Sequence, residues 1–186
     1  MKNKKIIIAG GTGFIGRNMA NYFGDENEVV IIGRGKGSIN NANGTIIDNQ
    51  DRKNIRFVSW NVNGEGDWMK EIDGADLVIN LAGKSVNCRY TRKNKQAIID
   101  SRVQSTNAID EAIRRAKRPP ALWINAGSAT IYRHAVDRPQ DEHTGEMHDD
   151  FSVQVCKRWE QAFFKLQQPS LERLCSELQL HWATVV

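Results

Sequence analysis

The stretch Ile6-Ile7-Ile8-Ala9-Gly10-Gly11-Thr12-Gly13-Phe14-Ile15-Gly16 decides the fold. Its first half is a continuous apolar run without alternation, the pattern of a strand buried on both faces of a sheet. Its second half sets glycines at 10, 13 and 16, a GxxGxxG spacing. The first glycine permits a tight turn, the second lets the backbone approach a pyrophosphate, and the third lets helix pack closely on strand. Phe14, Ile15, Met19, Ala20 and Phe23 predict one face of a short helix ending at Gly24. Such a helix points its unpaired N–H groups and positive dipole end at the turn. Gly10, Gly13, Phe14, Ile15 and Gly16 are therefore predicted to bind a dinucleotide.

Further apolar runs follow at Val29–Ile32, Ile55–Val58, Leu77–Leu81 and Leu122–Asn125. Residues 92–117 form the clearest helical pattern. Ile99, Val103, Thr106, Ile109, Ile113 and Ala116 recur every three or four positions, and Pro119-Pro120 stops the run. Alternating strands and helices predict an α/β, doubly wound parallel sheet. The span 51–74 reads as one strand with little else regular. The span 35–54, rich in Gly, Asn and Asp, reads as a long loop. An acidic residue after the second strand would bind a ribose 2′-hydroxyl. Here Gly33-Arg34 stands there, with Lys36 beyond. A guanidinium suits a 2′-phosphate, so NADP(H) is expected over NAD(H), unless both cations are merely solvated loop charges.

Composition narrows the remaining classes. The 186 residues hold 26 Lys+Arg against 22 Asp+Glu, a net charge of +4 that suits an anionic small molecule but does not argue for nucleic acid. Cys88, Cys156 and Cys175 are odd in number and widely spaced, so neither a disulfide framework nor a zinc site is expected. The apolar run after Lys5 is too short for a signal peptide, and no run reaches membrane-spanning length. A cytoplasmic globular protein without nucleic-acid or membrane partners is the expectation. The acidic, histidine-containing stretch 141–150 reads as a polar loop over the cleft, with no metal assigned.

Gly10 to Arg17, Asn80-Leu81-Ala82-Gly83 and Gly127-Ser128-Ala129-Thr130 together resemble the extended short-chain dehydrogenase/reductases. Arg89-Tyr90-Thr91, Ser101-Arg102 and Val155 to Glu160 bring the chain closest to the epimerase subgroup of the NAD(P)-dependent epimerase/dehydratase family. The resemblance spans about residues 4–166. It implies a Rossmann sheet of order 3-2-1-4-5-6, with the dinucleotide across the carboxyl ends of the strands and against Leu81, Ala82 and Gly83. It also implies a Ser or Thr after the fifth strand, matched by Ser128, and a YxxxK acid/base pair. Ser152 and Cys156 occupy the two positions of that pair, and neither residue can do its work. Tyr132 either substitutes as acid/base or is a packed loop aromatic. By the same resemblance, Arg89 and Tyr90 neighbour the substrate. Ser101 and Arg102 either face the cleft or pair on the helix surface.

The resemblance implies a substrate-binding part after the sixth strand, which this sequence lacks. Residues 1–168 are expected to be the Rossmann domain. Residues 169–186 lose the family pattern. The codons of His181-Trp182-Ala183, read one base upstream, force Leu-Gly, as a family sixth strand and loop would have. A tail read out of frame is the expectation, with deliberate truncation the alternative. Three functional readings stand: an NADP(H)-dependent epimerase or oxidoreductase on a small polar, sugar-like substrate; a non-catalytic NADP(H)-binding sensor or scaffold; or an inactive fragment of such an enzyme.

Overall fold

A computed structural model describes residues 1–34, 53–62, 65–165 and 171–177. The expected loop at 35–54 lies almost wholly outside the described residues, and so do Lys36 and the end of the tail.

The elements alternate as the apolar runs require: β1 (Lys5–Ala9), α1 (Phe14–Phe23), β2 (Glu28–Gly33), β3 (Ile55–Ser59), α2 (Asp67–Ile72), β4 (Leu77–Asn80), α3 (Arg92–Arg115), β5 (Leu122–Gly127), a 3₁₀ turn (Ala129–Ile131), α4 (Phe151–Phe164) and β6 (Glu172–Glu177). The six strands form one sheet in the order β3-β2-β1-β4-β5-β6, with every pairing parallel. Order and direction agree with expectation. β6 begins four residues after the expected domain boundary at 168, and Leu122↔Glu172 opens its register with β5.

Successive residues of β1 and β2 feed opposite faces. Ile7, Val30 and Ile32 join Val78, Trp123, Ile109, Ile113 and Phe163 on the face covered by α3 and α4, where Trp68 and Ile72 of α2 also pack. Ile6, Ile8, Val29 and Ile31 join Ile79, Ile55 and Ala20 beneath α1. Both clusters are excluded from water, which explains the unalternated runs.

Three local readings need correction. The buried face of α3 runs through Ile98, Ser105, Thr106, Ile109, Asp110, Ala112 and Ile113, so Ile99 and Val103 sit to its side. Polar residues claimed a core position because Thr106 has hydrogen-bonding partners there. Phe14 is 76% exposed rather than on the buried face of α1. Gly24 does cap α1, but with an ordinary right-handed φ of −66°. Its role is space: a Cβ there would lie 2.6 Å from Ile55. The span 51–74 also holds α2, a six-residue helix too short to show a period. Among the described residues no helix is long and apolar enough to cross a membrane.

Candidate active site

The carboxyl ends of β1, β2 and β4 converge on a cleft of about 880 Å³. Gly10 turns the chain out of β1 with φ +75°, a left-handed conformation that glycine adopts without strain. No side chain would fit there either, because an added Cβ would lie 2.9 Å from Ala82 Cα and N. Gly16 admits the return of the helix: its Cβ would meet Gly11 Cα at 2.5 Å. Within the turn, Gly13 N–H donates to Gly10 O at 3.1 Å, and Arg17 N–H is the donor that closes the first helical turn on Gly13 O at 3.0 Å. By helix geometry, the N–H groups of Phe14, Ile15 and Gly16 then have no intrahelical acceptor. Gly10, Thr12 and Gly13 line the cleft; Phe14, Ile15 and Gly16 follow in the first turn of α1 and are not among the lining residues.

The opposite wall comes from β4. Leu81, Ala82 and Gly83 line the cleft, and Arg34 stands exposed at the end of β2. Asn80 holds this wall in place. It is fully buried, and its Oδ1 accepts the Ala82 N–H at 3.1 Å while its Nδ2 donates to Asn125 Oδ1 at 2.7 Å and to Thr106 Oγ1 at 3.2 Å. Trp159 Nε1 closes the network on Thr106 Oγ1 at 3.0 Å. One buried group of polar atoms thus ties β4, β5, α3 and α4 together, with each donor matched. Lys84, the next residue along, is held from both sides. Its N–H donates to Ser101 Oγ at 2.8 Å, and its carbonyl accepts from Arg102 Nη1 at 3.1 Å. Ser101 therefore faces the cleft, whereas Arg102 turns from α3 towards α4.

Sequence reading missed Trp60, Asn61 and Val62 after β3, and Ala97, Asp100 and Gln104 on α3, all of which line the same cleft. The end of an apolar run marks the first group. The second gives no local signal, because it depends on how α3 lies across the sheet.

Beyond β5 the chain gathers Ser128, Thr130, Tyr132 and Cys156. Ser128 Oγ lies 2.9 Å from Thr130 Oγ1 and accepts the Thr130 N–H, capping the 3₁₀ turn. Thr130 Oγ1 is 3.6 Å from Cys156 Sγ, which also lies 3.8 Å from Ser128 O. Cys156 is 3% exposed, and burial pushes its thiol pKa up. Burial therefore disfavours the thiolate. Ser152 lies in the first turn of α4, its N–H capped by Asp150 Oδ1 at 2.8 Å, and Lys157 is exposed on the outer side. The ring of Tyr132 packs against Ile131, Val153 and Cys156, and Gly145 leaves room for its edge. Tyr90 meets Phe151 edge-on at 5.2 Å between ring centres.

The polar stretch 141–150 is occupied with its own folding. Asp141 Oδ1 accepts from His143 N, Thr144 N and Thr144 Oγ1, and Glu146 pairs with Arg133 and Arg138. Among the described residues no group of His, Cys, Asp or Glu is arranged to hold a metal.

A parallel sheet with a glycine turn, a helix N-terminus and a cleft at the strand ends defines a Rossmann-type nucleotide-binding protein. The chain belongs to the NAD dependent epimerase/dehydratase family, whose model matches residues 6–155. It is 33% identical over 161 residues to an epimerase family protein of Staphylococcus saprophyticus, covering 84% of this chain and 48% of that one. It is 31% identical over 156 residues to epimerase family protein YfhF of Bacillus subtilis, covering 83% and 48%. Among solved structures, human epimerase family protein SDR39U1 with NADPH superposes with a TM-score of 0.74 at 22% identity, over 93% of this chain and 52% of the human one. The chain spans about half the length of the curated relatives it matches.

Proposed function

We propose that this chain is the cofactor-binding part of an NADP(H)-dependent epimerase or oxidoreductase acting on a small polar, sugar-like substrate. The observation that carries the reading is the left-handed Gly10 turn packed on the Ala82 backbone, which leaves a cleft walled by both and open to an anion at the start of α1. The residues fit a dinucleotide. Gly10, Gly13 and the first-turn amides of Phe14, Ile15 and Gly16 would hold the pyrophosphate, and Leu81, Ala82 and Gly83 would flank the ribose and nicotinamide. Arg34 would pair with a 2′-phosphate, which favours NADP(H) over NAD(H). The human structural relative named with NADPH supports the same cofactor. When bound, the nicotinamide supplies hydride transfer. The protein's part is to orient the substrate and hold a proton near Ser128. Ser128 and Tyr132 are the residues assigned to that work, Ser128 through its hydroxyl and Tyr132 through its phenol.

A second reading, a non-catalytic NADP(H)-binding sensor or scaffold, is favoured by one observation: the position that the resemblance gives to a lysine holds the buried Cys156, which carries no positive charge. We take the nucleotide-binding unit to run past the expected boundary at 168, because β6 pairs with β5 in the same sheet.

Titration of the chain with NADPH and NADH, followed by nicotinamide fluorescence, tests the cofactor. Saturable binding with a tenfold preference for NADPH is expected, about 1.4 kcal/mol. Equal affinities would overturn the choice of cofactor, and no binding by folded protein would overturn the site. Turnover on a panel of sugars and carbonyl compounds, lost in Ser128→Ala or Tyr132→Phe, separates the enzyme from the sensor.

A further inference from the structure

The nucleotide reading leaves unused one cation that stands behind the cleft wall, against Gly83. The α3 residues that line the cleft are Ala97, Asp100, Ser101, Gln104 and Ser105. Arg102 leaves the helix in another direction, towards α4. Its guanidinium stands 5.2 Å from the ring centre of Trp159 and beside Gly83, where an added Cβ would lie 3.2 Å from Arg102 Cζ. Its Nη1 donates to Lys84 O and Ile98 O, both at 3.1 Å. Its electrostatic neighbours are the Cys156 thiol and the Tyr90 phenol. Among the described residues no carboxylate pairs with it, in contrast to Arg56, Arg114, Arg115, Arg133, Arg138 and Arg173.

A guanidinium carries its charge at every relevant pH and offers five donors. Two carbonyl dipoles acting on one nitrogen answer that charge only in part, and a partly buried cation without a counter-charge is costly. The stacking on Trp159 and the two carbonyl contacts fix the group in place, so a planar fork of donors is presented ready-made. Its neighbours are Gly83, Tyr90 and Cys156, and it is not among the residues that line the cleft with Gly10 and Gly13, where the pyrophosphate belongs.

We infer that Arg102 is the substrate-side anion receptor of this site: an anionic oxygen of the substrate, carboxylate or phosphoryl, binds its guanidinium between Gly83 and Cys156, and selects acidic substrates over neutral ones. This inference rests on the reading of the cleft as a dinucleotide site. It makes Arg102 a specificity-determining residue rather than a catalytic one.

The test uses the full chain saturated with NADPH, its binding followed by nicotinamide fluorescence. Inorganic phosphate and D-glucuronate are titrated at constant ionic strength, with D-glucose as the neutral match to glucuronate. The Arg102 Nε–H resonance is followed by nitrogen-15 NMR. A saturable shift with one or both anions and none with glucose is expected, and the stronger of the two anions identifies phosphoryl or carboxylate. Arg102→Met keeps a stem against Trp159 without charge. It is expected to bind the anion at least tenfold more weakly, a larger loss than any that the missing hydrogen bond to Lys84 O causes in NADPH affinity.

Anion binding unchanged in Arg102→Met would overturn the assignment. So would a loss of anion binding matched by an equal loss of NADPH affinity, which would make Arg102 only a support of the wall beside Gly83. Should the variant not fold, the parent chain decides alone: an Nε–H resonance that stays still with both anions overturns the proposal. Failure of the parent chain to bind NADPH is a separate result. It sinks the dinucleotide reading, and the same anion titration of the cofactor-free chain then judges Arg102.

Discussion

Asn80 Nδ2 lies 2.7 Å from Asn125 Oδ1, so the neighbouring strands β4 and β5 are joined side chain to side chain near their carboxyl ends. Because Asn80 Oδ1 also receives the Ala82 N–H, the cleft wall inherits its position from this buried pair. Replacing Asn80 with Ala strands the Ala82 donor and takes one of two donors from each of the buried acceptors Asn125 Oδ1 and Thr106 Oγ1. A loss of about 1–3 kcal/mol in stability is expected, together with weaker NADPH binding. Urea unfolding and nicotinamide fluorescence measure the two, and a variant unchanged in both would show that the network does not set the wall.

The glycines of the turn separate folding from binding. Gly10→Ala forces a side chain into a left-handed φ and against Ala82, and about 1–3 kcal/mol or more should be lost. Gly13→Ala meets little on the protein side, with Gly10 O at 3.4 Å. Its stability should stay within about 0.5 kcal/mol of the parent, while NADPH affinity falls tenfold or more. A Gly13→Ala chain that binds NADPH normally would mean that no pyrophosphate approaches this backbone.

Arg34 is exposed at the end of β2 and lines the cleft, so its charge is available without first being freed from a buried pair. Arg34→Ala should lower NADPH affinity about tenfold, about 1.4 kcal/mol, and leave NADH nearly unchanged. Parallel losses for both cofactors would assign Arg34 a general electrostatic role instead.

Acid should weaken the sheet's base through Glu71. Its carboxylate accepts from Arg56 Nη1 at 2.7 Å and stands 3.3 Å from Lys5 Nζ, and these contacts, Arg56 first, hold its pKa below the ordinary 4.5. A pKa lower in the folded than in the unfolded state stabilises the fold above about 4.5. That contribution fades as pH falls through the folded value. Calorimetry from pH 7 to pH 3 should show the melting temperature of the parent chain falling more steeply below about 4.5 than that of Glu71→Gln. Parallel curves would mean that the pair contributes nothing.

Thiol labelling should distinguish the cysteines. Cys156 is buried with its pKa pushed up, whereas Cys88 is only half-buried in the segment after β4. Iodoacetamide at pH 7.5 should modify Cys88 well before Cys156, as mass spectrometry of peptides would show. Early modification of Cys156 would point to an activated thiolate and revive it as a nucleophile.

The strands and the glycine turn were legible because each rests on a local cause. Ile6–Ala9 has no polar residue to expose, and the spacing of Gly10, Gly13 and Gly16 has few other uses. The face of α3 was read correctly at Thr106, Ile109 and Ile113 and missed at Ser105 and Asp110, which are buried polar residues. Asp110 pairs with Arg114 and, across the sheet edge, with Arg173 of β6, so its burial depends on a partner far along the chain. The roles of Asn80 and Arg102 were hidden for the same reason. An asparagine in a strand and an arginine in a helix look ordinary until Asn125, Trp159 and Lys84 are brought beside them.

The contact between Gly10 and the Ala82 backbone also has a consequence for the order of events during synthesis. β1 can take β2 as a neighbour early, but its other edge and the back of its turn stay bare until β4 and the residues after it leave the ribosome. A nascent chain ending before Ala82 would have the glycine sequence but only one wall of the cleft. Nicotinamide nucleotides should therefore act as a folding ligand only late, stabilising the assembled sheet and leaving its first three strands to form unaided.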